Sequence, residues 1–188
     1  MSRLILASAS PRRLELLKST NIFPDIIEPA NIDESIKKKE KPKLYLNRIC
    51  FEKALNIQKK YKNDIILSAD TIVTTSQKIF GKPSNKKDAI KTLKYLSGRN
   101  HKVSTGVCIL YKDNRKIKII DTKIKFKKIH DDEINQYIET NEWTDKAGSY
   151  AIQGHAERFV IKINGSYSNV VGLPLYETIN LLKSIKNF

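Results

Sequence analysis

The sequence predicts an α/β fold: a mixed β-sheet with flanking helices. Two observations carry that prediction. Short apolar runs at 4–8 and 65–69 alternate with helical patterns at 11–19 and 43–61, which favours parallel pairing. Further on, 102–111 and 116–129 read as long strands joined at Asp113-Asn114, a hairpin that makes the sheet mixed.

Each element has a local reason. Residues 4–8 form a short apolar strand, and 11–19 a helix with Leu14, Leu16 and Leu17 apolar. Ser10 suits the N-cap of that helix and Pro11 its first turn. The run Lys37 to Lys43 contains Glu40 and Pro42 and reads as an exposed loop. In the helix at 43–61, Leu46, Ile49, Cys50, Ala54, Ile57 and Tyr61 follow helical spacing. The strand at 65–69 stops at Asp70-Thr71, and a further extended piece covers 71–75. Residues 84–96 are helical, with Ala89, Ile90, Leu93 and Leu96 on one side. A short helix at 131–139, a strand at 159–163 and a last helix at 173–186 complete the chain.

Composition narrows the function. The 188 residues carry 35 Lys+Arg against 20 Asp+Glu, a formal charge of +15. An acidic tail is excluded and an anionic partner is raised, although a lysine-coated ordinary surface explains the same charge. Only seven of the cations are arginine. Cys50 and Cys108 are far apart and form no metal-ligand spacing, so a zinc site is not expected. Both fit buried thiols of a reducing compartment. No run reaches the roughly 18 apolar residues of a membrane span, and the apolar start is too short for a signal peptide. The expectation is one cytoplasmic domain over residues 1–188, with no membrane partner.

Several residues stand out chemically. Arg12 and Arg13 fall in the first turn of a helix, where the macrodipole disfavours cations. A phosphate chain would offset that cost through Ser8, the free amides and both guanidinium groups. Two solvated arginines remain the alternative. Lys53 lies on an apolar helix face, four residues after Ile49. It either snorkels outward or meets an anion or carboxylate in a cleft. Asp33-Glu34 is a carboxylate pair in a loop. Asp70 at a strand end can hold Mg²⁺ or take a proton from water, or simply form a turn. Gly81-Lys82-Pro83 fixes a lysine in a turn. Gln153 ends a small-residue stretch and offers a donor and an acceptor that suit a nucleobase edge.

In order, these pieces resemble the Maf nucleotide pyrophosphatase family over nearly the whole chain. The marks are Ser8-Ala9-Ser10-Pro11-Arg12-Arg13, Asp33-Glu34, Lys53-Ala54, Ala69-Asp70-Thr71, Gly81-Lys82-Pro83, Leu96-Ser97-Gly98, Thr105-Gly106-Val107, Asp145-Lys146-Ala147-Gly148, Ile152-Gln153-Gly154 and Ser168-Asn169-Val170-Val171-Gly172-Leu173-Pro174. The stretch from Lys146 to Gly154 resembles the branch acting on dTTP and UTP. The resemblance implies an inosine-triphosphate-pyrophosphatase-like fold with two lobes around a cleft. It implies Asp70 as catalytic base and Arg12, Thr71 and Gln153 as specificity positions. It further implies a divalent metal, Mg²⁺ or Mn²⁺, and a homodimer.

The expected reaction is hydrolysis of dTTP or UTP between the α and β phosphates, a house-cleaning of the nucleotide pool. Ser8, Arg12, Arg13, Lys53 and Lys82 would bind phosphates, and Glu34 and Asp70 the metal. Two rivals remain: a basic nucleic-acid-binding module and a protein-binding regulator of septum formation. The lysines are spread along the chain and no nucleic-acid reading motif is present, so a nucleic-acid partner is not expected.

Overall fold

The computed structural model describes residues 2–76 and 78–185. The chain opens with β1 (Leu4–Leu6), α1 (Pro11–Lys18), β2 (Ile26–Ile27), α2 (Pro42–Gln58) and β3 (Ile65–Thr74). Next come β4 (Ile79–Phe80), α3 (Lys86–Leu96), β5 (Asn100–Tyr111), β6 (Asn114–Phe126) and α4 (Asp131–Glu139). The last elements are β7 (Val160–Asn164), α5 (Tyr167–Val171) and α6 (Leu175–Lys183). The expected end of the last helix, Lys186, lies outside the described residues.

Seven strands form one sheet in the order β2-β1-β3-β5-β6-β7, with β4 added onto β3. β1 runs parallel to β2 and β3, whereas β4 is antiparallel to β3 and β7 to β6. The fold is therefore the mixed α/β class that the sequence predicts. Residue contacts divide the chain into two units. The first comprises Met1–Asp70, Thr105–Ile120 and Gly172–Phe188; the second comprises Thr71–Ser104 and Asp121–Val171.

Strand periodicity builds the first unit. Leu4, Leu6, Ile65, Leu67, Ala69, Val107, Ile109 and Tyr111 share one core with Leu17 of α1 and Leu181 and Leu182 of α6. The intervening positions, Ile5, Ala7, Ile66, Cys108 and Leu110, share the other with Cys50, Ala54 and Ile57 of α2. Because both faces are covered, these strands read as continuous apolar runs. α2 lies close to the sheet at Gly106. A Cβ there would fall 2.8 Å from Cys50 Sγ and 3.3 Å from the Leu46 carbonyl oxygen.

The second unit is built around aromatic rings. Phe126 meets His101, Tyr150 and Phe159 edge-on at centroid distances of 4.7, 4.9 and 6.2 Å. Buried Asn169 of α5 donates to the Val103 carbonyl at 3.1 Å and to Thr122 Oγ1 at 2.9 Å, tying β5 and β6 together. This gives the Ser168-Asn169 stretch an architectural role.

Three expectations are corrected. β3 does not stop at Asp70 but runs on to Thr74, because Val73 and Thr74 pair with Phe80 and Ile79 of β4, a strand absent from the sequence reading. The hairpin turn is Lys112-Asp113 rather than Asp113-Asn114, with Lys112 in the left-handed region at φ 51°. Ser10 occupies the N-cap of α1, yet its side chain makes no capping bond there. Its own amide instead donates to Ser8 Oγ at 3.2 Å. The short strand β2 and the helix α5 were also not foreseen, since each is too short to show a period.

Candidate active site

Alternation along β3 decides where Asp70 points. Ile66 packs toward α2, so Ser68 and Asp70, two and four residues on, share that side. Ser68 Oγ donates to the Cys50 carbonyl at 2.6 Å, and three residues further along α2 the Lys53 ammonium meets Asp70 Oδ1 at 2.8 Å. Pairing of β1 with β3 extends only to Leu6 opposite Leu67. Asp70 thus lies three residues beyond the last β1 partner. It is not at the end of its own strand, but it is past the end of the parallel neighbour.

Lys53 joins two carboxylates. Its ammonium also lies 3.0 Å from Glu34 Oε1. The Lys53 and Asp70 side chains are 9% and 12% exposed, and Glu34 is 41% exposed. Of the two readings the sequence left open, the lysine takes the inward one, and the anions it meets are protein carboxylates. Removing one member of so buried a pair would leave an uncompensated charge, a cost of about 3–5 kcal/mol for typical buried pairs.

The loop after β1 is held from inside the protein. Arg13 Nη1 donates to Ser8 Oγ at 3.0 Å and Nε to the Gly172 carbonyl at 2.9 Å. Ser8 is buried, and Arg12 and Arg13 are half-buried. The Arg13 fork therefore braces the loop against the segment that leads into α6.

Thr71, Lys82 and Gln153 belong to the second unit. Thr71 is half-buried on β3, while Lys82 and Gln153 are exposed. The Gly148 amide donates to the Gly81 carbonyl at 3.2 Å, so the turn bearing Lys82 and the segment leading to Gln153 are joined. Gly148 has φ 72°, and a Cβ there would lie 2.7 Å from Val73 Cγ2. Only glycine fits both the backbone and the space. Further along that segment, the Ala151 amide donates to Tyr137 Oη at 3.0 Å.

Sequence reasoning missed Tyr45 and Arg48. The Tyr45 hydroxyl donates to the Glu34 carbonyl at 3.1 Å. Burial, and then the charges of Asp70 and Glu34, push its phenol upward, which keeps the proton on the oxygen. Arg48 grips Glu40 with two bonds of 2.7 Å and pairs with Glu52 at 3.2 Å. The Arg48–Glu52 spacing of four was legible; the Glu40 contact spans a loop and was not.

Among the described residues no cluster of three or more His, Cys, Asp or Glu is placed to hold a metal. Glu34 and Asp70 nevertheless supply two hard carboxylates around one ammonium. That donor set fits a Mg²⁺-type ion, which takes one or two carboxylates from protein and the rest from water and phosphate oxygens. Also among the described residues, no helix is long and apolar enough to cross a membrane.

The chain is 44% identical over 183 residues to a dTTP/UTP pyrophosphatase of Caulobacter vibrioides, covering 97% of this chain and 95% of that protein. It is 48% identical to a dTTP/UTP pyrophosphatase of Rhizobium johnstonii, over 96% of this chain and 91% of that one. Among solved structures, the Staphylococcus aureus Ham1 protein overlaps with 12% identity and a TM-score of 0.47, over 65% of this chain and 71% of that chain. The family model described as Maf-like protein matches residues 3–185, and the chain belongs to the Maf family.

Proposed function

We propose that this protein is a nucleoside triphosphate pyrophosphatase that hydrolyses dTTP and UTP to the monophosphate and pyrophosphate. The observation that carries the reading is the buried Lys53–Asp70 contact with Glu34 on the same ammonium. Relatives 44% and 48% identical, named dTTP/UTP pyrophosphatases, support the choice of substrate.

In this reading water attacks the α phosphorus, the bond from that phosphorus to the bridging oxygen breaks, and pyrophosphate leaves. Asp70 accepts the water's proton. Lys53 engages Oδ1, and we assign Oδ2 to the water. A divalent cation, Mg²⁺ or Mn²⁺, held by Glu34 and Asp70 would supply charge neutralisation at the phosphate oxygens. Arg12, Arg13, Ser8, Lys53 and Lys82 contribute charge and hydrogen bonds to the phosphates; the chemistry needs mainly positioning and neutralisation. Thr71, Gln153 and Arg12 discriminate the pyrimidine. The enzyme works in the cytoplasm on free nucleotides rather than nucleic acid, as one functional domain over residues 1–188. It acts as a homodimer, as members of its family often do. The remaining lysines steer anionic substrates at long range.

The test is a panel of standard and modified nucleoside triphosphates with Mg²⁺ and with Mn²⁺, scored for pyrophosphate against orthophosphate. Pyrophosphate should be the first product, with dTTP and UTP preferred. Orthophosphate as first product would overturn the reading.

A further inference from the structure

We infer that Arg48 is a positioning residue for Glu34, acting through Glu40 and the backbone between them. The inference rests on the role proposed above for Glu34.

Residues 31–41 contain neither helix nor strand. Glu34 lies in this segment with its side chain 41% exposed. An ion pair with one partner open to solvent is too weak to offset the entropy of ordering a free stretch of backbone. The contact with Lys53 therefore does not hold Glu34 in place by itself.

Three sets of contacts hold it instead. Near the start of the segment, Asp33 accepts the Ser35 amide and the Ser35 hydroxyl, both at 2.9 Å. In the middle, Tyr45 Oη donates to the Glu34 carbonyl at 3.1 Å and Arg48 Nη2 to the Ser35 carbonyl at 2.9 Å. At the far end, Arg48 Nε and Nη2 grip the two oxygens of Glu40, each at 2.7 Å. Glu40 Oε2 in turn accepts the Lys37 amide at 3.0 Å. The carbonyls of Glu34 and Ser35 are thus both pinned to α2, the helix that also carries Lys53. Glu34 and its ammonium partner are fixed in one frame.

The Arg48 guanidinium, the strongest influence on it, pulls the Glu40 carboxyl down to about 2. The geometry also needs arginine. A lysine ammonium lacks the planar fork that meets both Glu40 oxygens while one nitrogen also reaches a carbonyl.

The experiment compares Arg48→Ala and Arg48→Lys, each made alone and together with Glu34→Gln. Two quantities are read: kcat/KM on dTTP, and the rate of tryptic cleavage after Lys37, Lys38 and Lys39. With Glu34 intact, each Arg48 substitution should lower kcat/KM by about 10- to 100-fold, the usual effect of losing a residue that orients a ligand. In the Glu34→Gln background the further loss should be slight. Cleavage within 37–41 should quicken several-fold in both. An equal loss in both backgrounds would mark Arg48 as merely structural and overturn the inference, as would unchanged cleavage. Full activity in Glu34→Gln alone would instead sink the role given to Glu34, and faster cleavage would then still bear out the clamp.

Discussion

Lys53 Nζ lies 2.8 Å from Asp70 Oδ1, and both residues are buried where α2 crosses the sheet beyond the end of β1. A cation and an acid in such a place depend on each other. Replacing Lys53 by Met leaves the carboxylate without its cation, and we expect a stability loss of about 3 kcal/mol. The double variant Lys53→Met, Asp70→Asn should regain most of the lost Tm and none of the activity. Thermal melts of the four proteins check this, and a double variant less stable than Lys53→Met would refute the coupling.

Asp70→Asn alone keeps the shape and removes the base. Its kcat on dTTP should fall by about 10²–10⁴. A variant that turns over as fast as the parent would take Asp70 out of the proton transfer.

Gln153 is exposed at the end of a segment tied to the Gly81 turn through Gly148. Gln153→Ala should blur the ranking of dTTP, UTP and other triphosphates more than it slows the best of them. Relative kcat/KM across the panel is the measurement. An unchanged ranking would remove Gln153 from base reading.

Gly148→Ala places a methyl group 2.7 Å from Val73 Cγ2 at a φ of 72°. Backbone strain and overpacking together should cost about 2–4 kcal/mol. Adding Val73→Ala should return part of the overpacking share and leave the backbone share. If Gly148→Ala melts with the parent, the close approach to Val73 is not a constraint.

His101 is buried and bonded to the Tyr150 hydroxyl at 2.9 Å, and burial pushes its imidazole down to about 4. The unfolded chain takes up that proton near pH 6.5, the folded protein only near 4. Between those values the unfolded state binds more protons, so stability is full above pH 6.5 and falls as pH drops. The share from His101 reaches at most about 3 kcal/mol near pH 4. Tm should decline from pH 7 to pH 5, and His101→Gln should flatten that decline. Parallel curves for the two proteins would rule His101 out as the source.

The first unit was largely legible in the sequence because its signals are local. The apolar runs at 4–8 and 65–69 mark strands and the spacing from Leu46 to Ile57 marks a helix; the structure buries both faces of the strands and lays the helix on one of them. The placement of Lys53 on that face already marked it as a residue with an inward choice. The family was legible too, because ordered motifs along the whole chain survive without knowledge of contacts.

Which carboxylates Lys53 meets was decided only in three dimensions. Glu34 and Asp70 lie 19 residues before it and 17 after it, and no sequence period links such distances. Three facts of packing bring them together. α2 packs closely over Gly106, β3 continues through Asp70 because β4 pairs with its end, and Arg48 with Tyr45 pins the loop of Glu34 to the helix. By itself, the sequence determined which residues bear charge and which faces are apolar, because those follow from residue type and periodicity. Only the tertiary structure decided which charges meet, because strand pairing and helix contact join residues remote along the chain.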